Sequence, residues 1–199
     1  MTQARDRFSI PAICLHWAIA ALLLFNIWLG WQYDGLKGLA QFKVLQLHKS
    51  VGITVLVLTL LRFALRLAIR PPPLPAHMPI WEKAAAHATH WAFYAIMLGL
   101  PLTGWIMVSA SPTNLPTFLY QNLGLHLTWP HLGFVHDMAM PARKSAEHAS
   151  STVHHLLVKI TYVLFVLHVA AALKHHFVNR DDVLWRMLPV WPKPVPKES

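Results

Sequence analysis

VHHLLVKITYVLFVLHVAAALKHHFVNRDDVLWRM, residues 153–187, is the stretch that decides the fold. Its apolar run is long enough to cross the ~30 Å hydrocarbon core of a bilayer as an α-helix. Yet it carries His154 and His168 within the run and His175 and His176 at its exit. Ionisable side chains inside a span are costly and face the bundle interior or a functional pathway, so these histidines are candidate site residues. The 14-residue spacing between His154 and His168 corresponds to ~21 Å of helix at ~1.5 Å per residue, and ~100° per residue places them within about 40° of one stripe. The stripe therefore holds one histidine near each face of the hydrocarbon. His155 stands roughly 140° from His168 around the helix, off that stripe.

The rest of the chain has the same character. Of the 199 residues, 55% are hydrophobic and 13% are charged, and the mean hydropathy is +0.42, which excludes an ordinary soluble domain. The net charge of +9 does not point to nucleic acid, because the Lys and Arg residues sit at the ends of apolar runs, where they act as topology signals. Cys14 is alone within an apolar run; it can form neither an intrachain disulfide nor a Cys-x-x-Cys-His attachment, so any haem is held by coordination only.

Three further runs precede the first. IPAICLHWAIAALLLFNIWLGW (10–31) has His16 near its start; a run this long without a small-residue cleavage site reads as a mature span. VGITVLVLTLLRFALRLAI (51–69) is entered through LHKSVG, with His48 at its mouth and Arg62, Arg66 and Arg70 at its far end. The Pro-rich RPPPLPAHMP cannot continue a helix and returns the chain as a hairpin neighbour. HATHWAFYAIMLGLPLTGWIMV (87–108) carries Pro101 and Gly104, a kink signature. Residues 110–151 are too polar and Pro-broken to span, and the part around Phe118 to Leu127 reads as a short amphipathic interfacial segment. The tail WPKPVPKES reads as unstructured. The expectation is an all-α membrane protein. It is one domain over 1–199, a four-helix transmembrane bundle with spans of about 10–33, 48–70, 87–109 and 152–178 and a long periplasmic loop over 110–151.

Charge counting orients the bundle. Arg5 and Arg7, then Arg62, Arg66, Arg70 and Lys83, then Lys174, Arg180, Arg186, Lys193 and Lys197 fall on one side, against Lys37, Lys43, Lys49, Arg143 and Lys144 on the other. The richer side is cytoplasmic, which puts both termini there. His16 and His168 then share the cytoplasmic depth, and His48 and His154 share the outer depth. An iron porphyrin held by two histidines from facing helices has no open position and suits electron transfer. Two such haems would form a transmembrane electron wire. His87 and His90, one turn apart on the third span at the depth of His16, are rivals that spacing alone does not reject.

The segments CLHWAIA, LHKSVGI, AHATHWAFYAIMLGLPLTGW and LHVAAALKHHFVNRDDVLWRMLP resemble the prokaryotic cytochrome b561 family over all four spans. The resemblance implies two b haems in a four-helix bacterial inner-membrane protein, with ligands on helices one, two and four. Carried over by motif, these are His16 in CLHW, His48 in LHKSVG, His154, and His168 in LHVAAAL; this agrees with the depth pairs and demotes His87 and His90. It further implies ubiquinone contact at His175, the first histidine of the HH pair, and superoxide as the one-electron donor. The interval between helices three and four, which flanks the outer haem, departs from the family by its length, prolines and extra histidines.

Electrons are then expected to pass from the outer pair (His48, His154) to the inner pair (His16, His168) and on to a quinone near His175, whose imidazole suits proton relay. Lys37, Lys43, Lys49, Arg143 and Lys144 would form a basic rim steering superoxide, or are ordinary flanking charges. Arg62 and Arg66 would pair with inner-haem propionates or serve as positive-inside anchors. His126, His131 and His136 lack a standard metal-ligand spacing. Met97 and Met107 read as packing, Trp17, Trp28, Trp31, Trp91 and Trp105 as an aromatic belt or haem packing, and Asn26 as an interhelical hydrogen-bonding residue. Two other function classes compete. One is a haem-bearing carrier or membrane anchor for a periplasmic dehydrogenase docking on the outer loop. The other is a transition-metal transporter, which usually wants intramembrane carboxylates that these spans lack. Membrane lipid and the quinone pool are the partners expected, and no nucleic acid.

Overall fold

The computed structural model describes residues 7–125 and 127–189. Arg5, His126, Lys193, Lys197 and the WPKPVPKES tail lie outside the described residues. Helices α1 (Ile10–Gly35), α2 (Gly38–Ala68), α3 (Ile80–Ala110) and α5 (Met140–Phe177) are each long and apolar enough to cross a membrane. Between α3 and α5 lie strands β1 (Thr117–Leu119) and β2 (Leu127–Trp129) and the short helix α4 (Gly133–His136). A 3-10 turn, Trp185–Met187, follows α5.

The helices run past the apolar segments that announce them. α5 begins at Met140, not near 152, and α2 at Gly38, not near 48. The interval read as a loop over 110–151 is therefore only 111–139. Hydropathy marks where hydrocarbon ends, whereas the added turns of α5, PARKSAEHASS, are built from residues that propagate a helix in water, opened by Pro141 in the first turn. At 38 residues and ~1.5 Å each, α5 is ~57 Å long and projects well beyond the bilayer core.

The interval also has a different local structure from the amphipathic segment expected near 118–127. β1 and β2 pair antiparallel with Phe118 opposite Thr128, and the chain turns through Tyr120 at φ 49° and Gly124 at φ 80°. This hairpin is pinned to α2 by a polar stripe, Gln46, Ser50 and Thr54, spaced by single turns. Gln46 Oε1 accepts from the Phe118 amide at 3.0 Å, and Ser50 Oγ accepts from the Tyr120 amide at 3.0 Å. The Tyr120 and Thr54 hydroxyls meet at 2.6 Å. Gln46 and Ser50 are fully buried, a position that buried polar groups hold only when hydrogen-bonded.

α1 packs along α2, α2 along α3, and α3 along α5. The α3–α5 contact is close: a Cβ on Gly99 would lie 3.1 Å from Leu157 Cδ1. α5 does not pack along α1 or α2; it meets them through side-chain bridges, among them Trp31 Nε1–H donating to the Tyr162 hydroxyl at 2.9 Å. Ile19, Leu29, Val51, Val55 and Met97 form the central core, with Tyr120 against it. Met97 thus packs, as read from the sequence. Large apolar side chains such as Phe25, Trp28, Leu60 and Val166 point outward, which suits a bundle solvated by lipid, where every backbone group is already satisfied within its helix.

Candidate functional site

Two histidine pairs span the seam between α5 and its neighbours. At the outer level His48 of α2 faces His154 of α5, with ring centroids 6.3 Å apart and planes inclined at 67°. At the inner level His16 of α1 faces His168 of α5 at 6.2 Å and 63°. These are the two pairs expected from depth. Two metal–nitrogen bonds of about 2 Å, plus about 1.1 Å from each nitrogen to its ring centre, total roughly 6.2 Å. The rings thus stand at a separation at which both imidazoles of a pair could hold one iron.

The outer pair is also oriented. His48 Nδ1–H donates to the Asn26 carbonyl at 3.0 Å, and His154 Nδ1 lies 3.1 Å from the Leu100 carbonyl and 2.9 Å from Thr103 Oγ1. A proton fixed on Nδ1 leaves the Nε2 lone pair for a metal, the arrangement that holds ligating histidines in one tautomer. Asn26 therefore makes the interhelical bond read for it, but with its backbone carbonyl; its side-chain Oδ1 is buried without a hydrogen-bond partner. Glycines sit beside both rings: a Cβ on Gly30 would lie 3.7 Å from His48 Cε1, and one on Gly104 would lie 3.7 Å from His154 Cε1. At both positions the glycine brings the helix backbone up to the ring with no side chain between them.

The rivals separate. His87 and His155 are exposed; His155 Nδ1–H donates to its own helix at the Ser151 carbonyl, 2.8 Å away. His90 approaches His168 as closely as His16 does, at 6.2 Å, with Phe93 at 5.3 Å on the same ring. Distance alone does not choose between His16 and His90.

A family model for prokaryotic cytochrome b561 matches residues 7–190. The chain belongs to the prokaryotic cytochrome b561 family. Cytochrome b561 homolog 2 of Escherichia coli is 29% identical over 194 residues, covering 94% of each chain. A probable superoxide oxidase of Yersinia pestis is 27% identical, covering 92% of this chain and 96% of its own. Cytochrome b562 of Cereibacter sphaeroides is 28% identical over 198 residues. The protein is accordingly a multi-pass bacterial membrane haem protein of this family, with a probable superoxide oxidase among its relatives.

The end of the bundle that carries His16 and His168 is basic. Arg7, Arg62, Arg66 and Arg70 line one cleft with His90 and Tyr94, and no Asp or Glu is among the lining residues. Arg62 Nη1–H also donates to the Ala12 carbonyl at 2.8 Å, tying α2 to α1. His175 lies beside this end in a polar cluster: its Nδ1 is 2.6 Å from Asp181 Oδ2, and its Nε2 is 3.8 Å from Glu82 Oε2.

The basic rim loses one member. Arg143 is 6% exposed, and its guanidinium donates to the Ala110 carbonyl at 3.3 Å, the Ser111 carbonyl at 2.6 Å and Asn114 Oδ1 at 2.6 Å. A cation on the last carbonyls of α3 caps its helix dipole, so Arg143 is not available to steer an anion. Lys37, Lys43 and Lys144 remain exposed. His131 and His136 come together at 4.9 Å, but no group of three or more His, Cys, Asp or Glu able to hold a metal occurs among the described residues.

The residues missed in the sequence are Gln46, Ser50, Thr54, Thr103 and Glu82. The first three left a signal, polar side chains at one-turn spacing in an apolar helix. Thr103 and Glu82 left none, because their roles depend on α3 lying against α5.

Proposed function

We propose that this cytochrome b561 carries two b haems and moves electrons from a one-electron donor on the outer face, superoxide, to ubiquinone at the cytoplasmic face. The observation that carries the reading is the matched separation of the two histidine pairs, 6.3 and 6.2 Å. Haem held there by His48 with His154 and by His16 with His168 would supply one-electron carriers at two depths.

The chain's own residues account for the rest. His48 and His154 present Nε2 because Asn26, Leu100 and Thr103 hold their Nδ1 protons. His16 is preferred over His90 as the partner of His168. α1 does not pack along α5 whereas α3 does, so the space between His16 and His168 is the one that would admit a cofactor between two helices. Arg62 and Arg66 line the cleft beside His90 and supply guanidinium groups for the inner haem's carboxylates. His175 sits at the mouth where a quinone's protons enter. Lys37, Lys43 and Lys144, with the half-buried Lys49 beside His48, give the outer rim the sign that attracts an anionic donor. Both termini lie in the cytoplasm by the positive-inside rule.

A dithionite-reduced minus air-oxidised spectrum of the purified protein with a haem count per chain tests the framework: two b haems are expected, and one or none sinks it. Stopped-flow mixing with superoxide is expected to reduce the haem at a rate that falls with ionic strength. Slow reduction by superoxide together with a stoichiometric copurifying dehydrogenase would favour the carrier reading instead. Reporter fusions at each end check the orientation.

A further inference from the structure

His175 lies near the end of α5, which closes at Phe177, and groups from three elements converge on it. From the turn beyond α5, Asp181 Oδ2 sits 2.6 Å from Nδ1, and Asn179 Nδ2 lies 3.2 Å from the same nitrogen. From the first turn of α3, Glu82 Oε2 sits 3.8 Å from Nε2. From α5 itself, Lys174 Nζ binds Glu82 Oε1 at 2.6 Å and lies 5.8 Å from the centre of the Trp81 ring. The His175, Asp181 and Glu82 side chains are 12%, 4% and 10% exposed. Asp181 is itself fixed, its Oδ1 accepting from the Val183 amide at 3.1 Å. Glu82 Oε2 is buried with no hydrogen-bond partner.

Buried carboxylate oxygens are seldom left unpaired in a structure. Here the orphan oxygen faces the one imidazole nitrogen that Asp181 leaves free. We propose that Asp181 and Glu82 make His175 a rechargeable proton donor for ubiquinone reduction, Asp181 as a positioning residue and Glu82 as the recharging acid; this rests on the quinone reading above. The overall reaction is balanced: two superoxide anions, one ubiquinone and two protons give two dioxygen molecules and one ubiquinol. The protons must come from the cytoplasmic water at this mouth. Asp181 accepts the Nδ1–H bond, which leaves Nε2 as the nitrogen that exchanges a proton. The Nε2 proton passes to a quinone oxygen; protonated Glu82 then returns a proton to Nε2, and the ring delivers it in turn. Glu82 is refilled from water on the side of Lys174, whose side chain is 45% exposed.

Pre-reduced protein mixed with ubiquinone-1 in a stopped flow, read as haem reoxidation between pH 6 and 9, separates the roles. Proton transfer by a positioned group contributes roughly 10²–10⁴-fold, so Glu82→Gln and Asp181→Asn are expected to slow reoxidation at least ~10-fold. Half-saturating ubiquinone-1 and the haem spectra should stay unchanged, and the rate should fall more steeply with rising pH than in the parent. Added formate should restore Glu82→Ala, a rescue that a merely structural role does not give, and Asp181→Glu should recover part of the rate. Parent-like rates and pH profiles in both variants overturn the relay, and so does loss of rate without formate rescue. His175→Ala distinguishes the two levels: if it reoxidises as fast as the parent, the quinone reading itself fails, whereas a slow His175→Ala beside fast Glu82→Gln and Asp181→Asn removes only the relay.

Discussion

His48 and His154 face each other across the bundle at 6.3 Å, and each commits Nδ1 to a carbonyl of a different helix, Asn26 on α1 and Leu100 on α3. All four long helices thus take part in one site. α1 and α3, which carry neither ring of this pair, supply the carbonyls that orient them.

Removing one ligand from each pair should remove one haem each. His154→Ala and His16→Ala are each expected to retain a single b haem per chain by pyridine haemochrome assay, and the double variant none. A His90→Ala variant should keep both. Loss of a haem from His90→Ala, with His16→Ala unaffected, would move the inner ligand from α1 to α3.

Thr103→Val tests the orienting bonds. The hydroxyl donates to the Gly99 carbonyl at 2.8 Å and sits 2.9 Å from His154 Nδ1. A partner on Nδ1–H raises ligand basicity and favours the ferric state. Its loss should therefore raise the outer haem potential while Leu100 still holds the ring. About half to one kcal/mol corresponds to roughly 20–40 mV for one electron. A redox titration resolving both haems is expected to show the outer one shifted and the inner one in place.

Gly104 sets the room beside His154. A methyl at 3.7 Å from Cε1 is an ordinary contact, so Gly104→Ala should bind haem as the parent does. Gly104→Leu fills the space next to the ring and should lose the outer haem, with α-helical circular dichroism unchanged.

Arg143 is predicted to act on stability rather than on the donor. Its three bonds to the end of α3 are made by a buried cation, and charged hydrogen bonds are worth about 1.5–3 kcal/mol each when one partner is removed. Arg143→Ala should lower the midpoint of thermal unfolding in detergent by several degrees, and Arg143→Lys should not restore it, because one ammonium cannot span the same three oxygens. The salt dependence of superoxide reduction should be the same in both variants as in the parent; a change there would return Arg143 to the outer rim.

How far the sequence reaches is clearest in particular residues. The apolar runs fix four spans because lipid demands continuous apolar helix, and the 14-residue interval from His154 to His168 fixes two depths because helical rise is constant. α2 and α5 run on past the spans read from the apolar segments, because hydropathy stops reporting where the bilayer stops, while helix propensity continues. The hairpin over 117–129 was misread because its anchors, Gln46 and Ser50, are some 70 residues away in the chain.

Depth matching and the family resemblance both pair His16 with His168 and His48 with His154, and both rest on one-dimensional facts. Three things belong to the tertiary structure. His90 approaches His168 as closely as His16 does. Arg143 of α5 is buried against the end of α3. Glu82 of α3 meets His175 of α5, although 92 residues separate Glu82 from its bonded neighbour Lys174. A sequence sets rise, rotation and hydropathy along each helix. It does not set which helix face meets which, because that is decided by side-chain packing between α3 and α5, where a single glycine at position 99 allows the close approach.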